Sequence, residues 1–222
     1  MTKDKTQTKF CILLSGCGVF DGSEIHEAVA TLIACSKAGI HYTISAPNID
    51  QHHVINHHTG QEMPETRNVL VESARIARGA VVPAEQIQVE DFDALFIPGG
   101  FGAAKNLSTF AFAGDKASME PHVQRLIQEF HQAKKPIGAV CIAPALLALA
   151  LRTGNITIGS DTDTANTLQQ LGASHIVCPV TEAITDSTNK LVTAPAYMEN
   201  APIHEIAEGI EKAVYAVLAL CN

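Results

Sequence analysis

Cys141 is the residue whose setting most suggests chemistry. It stands in Gly138-Ala139-Val140-Cys141-Ile142-Ala143-Pro144, where a strand pattern runs directly into a helix pattern. A nucleophile between strand and helix, with a small residue two positions to either side, fits the sharp turn of a nucleophile elbow; here both small residues are Ala rather than Gly. Amide groups at the start of the following helix favour an anion, so the expectation is a thiol of lowered pKa. The thiolate is the reactive form. A buried structural cysteine is the other reading that this spacing allows.

Chemistry at a thiol also needs amide donors and a proton carrier. Gly99 and Gly100 end a second strand pattern and let backbone approach a ligand. The N–H groups of Gly100 and Ile142 are candidates to bind an oxyanion formed when Cys141 adds to a carbonyl. Glu24, His26 and Glu27 lie in the first turn of an early helix, near the same rim. Glu27 faces away from the apolar stripe of that helix, so a solvated glutamate is its alternative reading. Gly16-Cys17-Gly18 matches neither a phosphate-binding loop nor a complete dinucleotide fingerprint. Cys17 is either a second thiol in the pocket or a turn filler. His52, His53, His57 and His58 lack carboxylates or thiols at ligand spacing, so no metal is expected.

These residues need a parallel sheet to bring them together. Residues 10–14 form an apolar run ending in a tight loop. A helical stripe follows (Ile25, Ala28, Val29, Leu32, Ile33), with Asp21 or Ser23 as N-cap and Gly39 at its end. Residues 41–46, 93–97 and 136–140 read as further buried strands, and 155–158, 174–178 and 190–193 as weaker ones. Helices are predicted at 123–130, 142–151 and, strongly amphipathic, 203–217. The β-loop-α-β opening implies right-handed crossovers and an α/β fold. Ligands of such sheets bind beyond the carboxyl ends of the strands, where the turns carrying Cys17, Gly99 and Cys141 should converge. Residues 50–89 exceed the βαβ rhythm and read as an insertion, helical near 68–77, in one domain spanning 10–222. Residues 1–9 read as a disordered tail.

Length and charge narrow the partners. The 222 residues suit one filled core, and 46% hydrophobic with 17% charged residues suits a globular chain. The net charge of −8 and the lack of a basic stripe argue against nucleic acid and against an anionic membrane. The longest apolar run, 139–151, contains Pro144 and is too short to cross a bilayer. The polar first nine residues show no signal-peptide core. A cytoplasmic protein with reduced cysteines is therefore expected.

The segment 15–27, Ser-Gly-Cys-Gly-Val-Phe-Asp-Gly-Ser-Glu-Ile-His-Glu, resembles the opening motif of the ElbB proteins, a branch of the ThiJ/PfpI superfamily of amidotransferase-like domains. Matches continue at 53–57, 67–79, 98–107, 136–147 and 193–198. The resemblance implies a flavodoxin-like three-layer sandwich, a homodimer and no cofactor. It implies Cys141 as nucleophile, Glu27 as its partner, Gly100 and Ile142 as oxyanion hole, and a pocket including Cys17, Gly99, Asn106 and His26. Many relatives have a histidine beside the cysteine or after the next strand; here those places hold Ile142 and Gly159-Ser160-Asp161. The implied activity is that of a glyoxalase acting on a small dicarbonyl, glyoxal and also methylglyoxal, without glutathione or metal.

Two other classes compete. One is a redox sensor or partner-binding protein using Cys141, with Cys17 as resolving thiol. The other is glutamine amidotransfer, which would need His-x-Glu on a late loop; the chain offers His204-Glu205, adjacent and inside a predicted helix.

Overall fold

Side chains along a strand alternate between faces, and in β1 (Lys9–Leu13) both faces are buried. Cys11 and Leu13 join one apolar cluster, Phe10 and Ile12 another. The chain's structure, a computed structural model, describes residues 8–221. Most of the expected tail lies outside the described residues. Thr8 and Lys9 do not belong to it: the Thr8 carbonyl accepts from His41 N–H at 2.9 Å, and Lys9 opens β1, its N–H on Asp93 Oδ2.

Helix α1 (Ile25–Lys37) forms where its pattern predicts but is rotated. Glu27, Ala28, Thr31, Ala34 and Cys35 are buried, whereas Ile25, Val29 and Ile33 are 42%, 41% and 50% exposed. Small residues face inward because the helix must pack closely on its neighbours. Its N-cap is Glu24, whose Oε2 accepts from Glu27 N–H at 2.7 Å. Asp21 and Ser23, the expected caps, instead accept from the N–H groups of Ile55 and Ser15. Gly39 follows the helix at φ +68°, as its position suggests.

After β2 (His41–Ala46) comes the predicted insertion. It contains a short hairpin of β3 (Val54–Ile55) and β4 (Glu62–Met63), then α2 (Val69–Ile76), capped by the Asn68 side chain. Its last element, β5 (Val81–Pro83), pairs in parallel with β2. The segment is thus partly an edge of the main sheet rather than an appendage. Pro83 suits such an edge, where no ladder donor is needed.

Next come β6 (Ala94–Ile97), α3 (Phe101–Lys105), α4 (Phe110–Ala113), α5 (Pro121–Gln132), β7 (Ile137–Val140) and α6 (Pro144–Leu151). The chain ends with β8 (Asn155–Ile156), α7 (Thr162–Gln170), β9 (Ser174–His175), β10 (Ile184–Asp186), β11 (Leu191–Ala194) and α8 (Ile203–Leu220). The main sheet has seven strands in the order β10-β11-β7-β6-β1-β2-β5, parallel except for β10. Two of the weaker predicted strands, β8 and β9, pair with each other outside it. One face is covered by α5, through Val123, Leu126, Ile127 and Phe130, with α6 beside it; the other by α1, α2 and α8, the last through Ile206, Ile210, Val214 and Val217. This is the flavodoxin-like sandwich. The strand order reverses between β1 and β6, which opens a crevice at their carboxyl ends.

Candidate functional site

Three connections meet at that crevice. The β7–α6 connection carries Cys141 at φ +61°, the left-handed region that non-glycine residues rarely occupy. Cys141 N–H donates to the Ala194 carbonyl at 3.0 Å, and Ala143 N–H to the Val140 carbonyl, fixing the elbow. Strain of about 1–3 kcal/mol persists only where the surroundings impose it. The side chain turns back over the sheet, 7% exposed, into a cavity of about 290 Å³.

The β6–α3 connection supplies Gly99 and Gly100, and both positions exclude a side chain. A Cβ on Gly99 would strike the Cys141 Cβ and the Glu27 carboxylate; one on Gly100, at φ +99°, would strike the Glu24 N and the Gly22 carbonyl. The backbone N–H groups of Gly100 and Ile142 favour the anion of the Cys141 sulfur. The amides expected to hold a substrate oxyanion thus already act on the nucleophile.

From α1 comes Glu27, which is fully buried rather than solvated. Gly99 N–H donates to its Oε2 at 2.9 Å and Tyr197 N–H to its Oε1 at 3.1 Å, and its carboxyl group lies beside the Cys141 side chain, both meeting the same point over Gly99. Burial above all, and then the Glu24 charge, push its pKa up to about 7, against the lowering by its backbone donors. The Cys141 thiol moves opposite to the sequence-based expectation. Burial and the charge of Glu27 raise it well above the ordinary thiol value, although the Gly100 and Ile142 amides lower it. The helix start that was to hold a thiolate lies further on, since α6 begins at Pro144. Any chemistry therefore belongs to a pair of neighbouring groups, whose titration is joint.

The remaining sequence candidates are placed differently. Gly99 lies behind Cys141, outside the cavity wall, and shapes the site by its lack of a side chain. Asn106 does not face the cavity. Its Nδ2 donates to the Ser15 and Asp21 carbonyls and its Oδ1 accepts from His52 N–H, so it clamps two loops. Cys17 is also outside the wall; partial burial and Glu72 raise its thiol pKa. His26 is 56% exposed and lines a different groove, meeting the site through the Tyr197 hydroxyl, 3.0 Å from its Nδ1, and through Glu24 Oε1, 3.7 Å from the same nitrogen. The insertion histidines brace loops: His57 Nε2 accepts from Phe20 N–H, and His53 Nε2 lies 3.2 Å from Lys105 Nζ. His204 and Glu205 fall inside α8, away from the cavity.

Sequence reasoning missed several wall residues: Val19, Phe101, Tyr197, Asp161 and Thr164. Tyr197 follows Ala196, a buried residue at φ +45°. That backbone turn aims the Tyr197 N–H at Glu27, and nothing in an alanine announces it. Asp161 was legible as a polar N-cap of α7, a role it fills by accepting from Thr164 N–H at 2.7 Å.

Sheet, elbow and buried acid–thiol pair define an amidotransferase-like α/β protein. Residues 17–199 match the model of the DJ-1/PfpI family, and the chain belongs to that family. It is 46% identical over 226 residues to the ES1 protein homolog, mitochondrial, of Rattus norvegicus, covering 97% of this chain and 85% of the relative. It is 47% identical to the glutamine amidotransferase-like class 1 domain-containing protein 3, mitochondrial, of Homo sapiens, over 96% of this chain and 83% of that one. A crystal structure of an isoprenoid biosynthesis protein with amidotransferase-like domain from Ehrlichia chaffeensis superposes with a TM-score of 0.89 at 38% identity, covering 95% of this chain and 99% of the other. Glyoxalase III of Candida albicans, at 16% identity and a TM-score of 0.61, shares the fold. The mitochondrial names of the curated relatives overturn the cytoplasmic expectation. It rested on the polarity of the first residues, which is no guide to compartment.

Proposed function

We propose that this protein, as a member of the ElbB branch of its family, is a glutathione-independent glyoxalase that converts glyoxal to glycolate through a Cys141 adduct. The observation that carries this reading is the buried carboxyl of Glu27 packed beside the Cys141 side chain, over a glycine that leaves no room for a Cβ, at the wall of a cavity. As the sulfur attacks one aldehyde carbon, the thiol proton passes to Glu27 and then to the carbonyl oxygen, giving a hemithioacetal. The Gly100 and Ile142 amides, released as the sulfur becomes a thioether, take up the developing oxyanion. Glu27 then moves the hydrogen of the adduct carbon, as a proton, to the neighbouring carbonyl oxygen, forming an enediol, and moves the adduct-side hydroxyl proton of that enediol to the neighbouring carbon, leaving a thioester. The oxidation of one carbon is balanced by reduction of the other, so no external oxidant enters. Water cleaves the resulting thioester, releasing glycolate and the Cys141 thiol. Methylglyoxal would follow the same course to lactate.

The test is glycolate formation from glyoxal without thiol cofactor, comparing the parent with Cys141→Ser and Glu27→Gln. Parent-level turnover by Cys141→Ser would defeat the scheme. The redox-sensing alternative loses support because Cys17, its resolving thiol, lies outside the Cys141 cavity.

The proposed working form is a homodimer. Its support is the apolar stripe of Val29 and Ile33 beside Ile203, 54% exposed, along a groove of about 430 Å³ between α1 and α8. Isolated exposed apolar residues are ordinary, but a continuous stripe marks an interaction surface. Sedimentation of the parent and of Ile33→Glu checks this, a monomeric parent being the adverse result.

A further inference from the structure

The cavity at Cys141 is larger than a two-carbon dialdehyde needs and carries a charge pattern of its own. At about 30 Å³ per water-sized atom, its volume of about 290 Å³ holds roughly ten heavy atoms; glyoxal has about four. Val19, Phe101, Ile142 and Met198 supply apolar walls. The lining also holds two carboxylates, Glu24 and Asp161, and the polar Thr164 and Tyr197, and among the described residues no Lys, Arg or His is part of it. Both acids are fixed in place by backbone donors, Glu24 by Glu27 N–H and Asp161 by Thr164 N–H. The wall therefore presents two carboxylates beside apolar surface; the basic groups nearby stand behind it, His26 Nδ1 3.7 Å from Glu24 Oε1 and Lys105 Nζ over the Phe101 ring.

We infer that the pocket selects uncharged carbonyl compounds with an apolar substituent of about phenyl size and rejects those bearing a carboxylate, with Glu24 and Asp161 setting the charge selection. This rests on the thiol-addition reading of Cys141. An apolar substituent gains by leaving water against the four apolar residues. A carboxylate there would lose hydration and meet two like charges, the buried Glu24 repelling it more strongly than the solvent-exposed Asp161.

A matched pair of substrates tests the inference. Phenylglyoxal and 4-carboxyphenylglyoxal share shape and reactive group and differ by one charge. The expected kcat/KM for phenylglyoxal is at least tenfold above that for glyoxal, and that for the carboxylated compound at least a hundredfold below phenylglyoxal. In Glu24→Gln/Asp161→Asn, which keeps both capping oxygens, the ratio between the aryl substrates should narrow at least tenfold. A ratio measured within one protein is insensitive to loss of folded enzyme. An unchanged ratio in the variant, or equal use of both aryl substrates by the parent, overturns the inference.

Protection of Cys141 from iodoacetamide separates this inference from the glyoxalase reading. Acetophenone should protect and 4-acetylbenzoate should not. If no aldehyde is turned over and this pattern holds, the pocket assignment stands and the glyoxalase reading falls. If glyoxal is turned over but both ketones protect equally, or neither does, the pocket assignment falls and the reading stands.

Discussion

Cys17 and Cys141 begin alike. Each follows a buried parallel strand, β1 or β7, with small residues around it, and each turn lies at the carboxyl end of the sheet. Their surroundings diverge. Cys141 takes a left-handed backbone and lies beside a buried carboxyl group. Cys17 stays half-buried in a loop held by other residues: Gly16 N–H donates to Ser73 Oγ, and Asn106 Nδ2 to the Ser15 carbonyl. The setting of a thiol is thus defined by what distant segments deliver, here from positions 27 and 100, as much as by its own flanks.

Substituting the two cysteines breaks the comparison most directly. Cys141→Ser should lower glyoxal turnover by at least a thousandfold, because a serine hydroxyl beside Glu27 is too weakly acidic to yield the nucleophile. Cys17→Ser should change turnover less than threefold. Comparable losses in both, measured as kcat/KM, would mean that the two turns form one site.

Gly99→Ala probes the delivery of partners to the Cys141 side. The added methyl has no room between the Cys141 Cβ and the Glu27 carboxylate, so elbow or helix must shift. Overpacking of this kind costs about 1–3 kcal/mol, occasionally more. Denaturant unfolding should show that loss, and Cys141 alkylation should slow even in the folded fraction, because the carboxyl group is displaced. Normal stability with normal alkylation would show that the contact is not tight.

The two turns also differ in how far they were legible in the sequence. The sheet was readable because buried parallel strands are continuous apolar runs, as at Ile137–Val140, and because α5 and α8 keep their apolar residues on one face. The elbow was readable from its small neighbours. The state of Glu27 was not. The stripe Ile25, Val29, Ile33 suggested the buried face of α1, and tertiary packing turned that face outward, burying a glutamate instead. Nor was the direction of the thiol pKa, which depends on burial and on an acid over a hundred residues away in sequence. Asn106 was assigned to the pocket through its motif, whereas three hydrogen bonds tie it to backbone.

Glu27→Gln sharpens the comparison through pH. A carboxyl pKa raised from 4.5 to about 7 means that the folded state holds a proton the unfolded chain releases. Its stabilising contribution is complete below pH 4.5, declines as pH rises toward 7 and is lost above it. The decline amounts to about 3 kcal/mol at ~1.4 kcal/mol per pH unit. Glu27→Gln should remove that slope from the stability profile, whatever constant offset the lost acceptor causes. Alkylation of Cys141 in the parent should rise with an acid limb near pH 7, as the pair loses its first proton. In Glu27→Gln the limb should move well above the ordinary thiol range, since burial remains and the base is gone. A profile that keeps its limb near 7 in the variant would assign that proton to another group.

The smallest effect is expected on the Cys17 side. Asn106→Ala removes two buried hydrogen bonds and one half-buried one that join the loop after β1 to the start of the insertion, and leaves the Ser15 and Asp21 carbonyls to find other donors. At about 1 kcal/mol each, the loss is on the order of 2–3 kcal/mol in urea unfolding. None of those bonds touches Cys141, Glu27 or their amides, so the pH limb of alkylation should stay near 7. Val19, on the clamped loop, is part of the cavity wall. The catalytic consequence should therefore be confined to a rise in KM of about threefold, with kcat retained, as expected when ground-state and transition-state binding weaken together. A fall in kcat with unchanged KM would place the Asn106 clamp in the chemistry of the Cys141 pair and erase the distinction between the two turns.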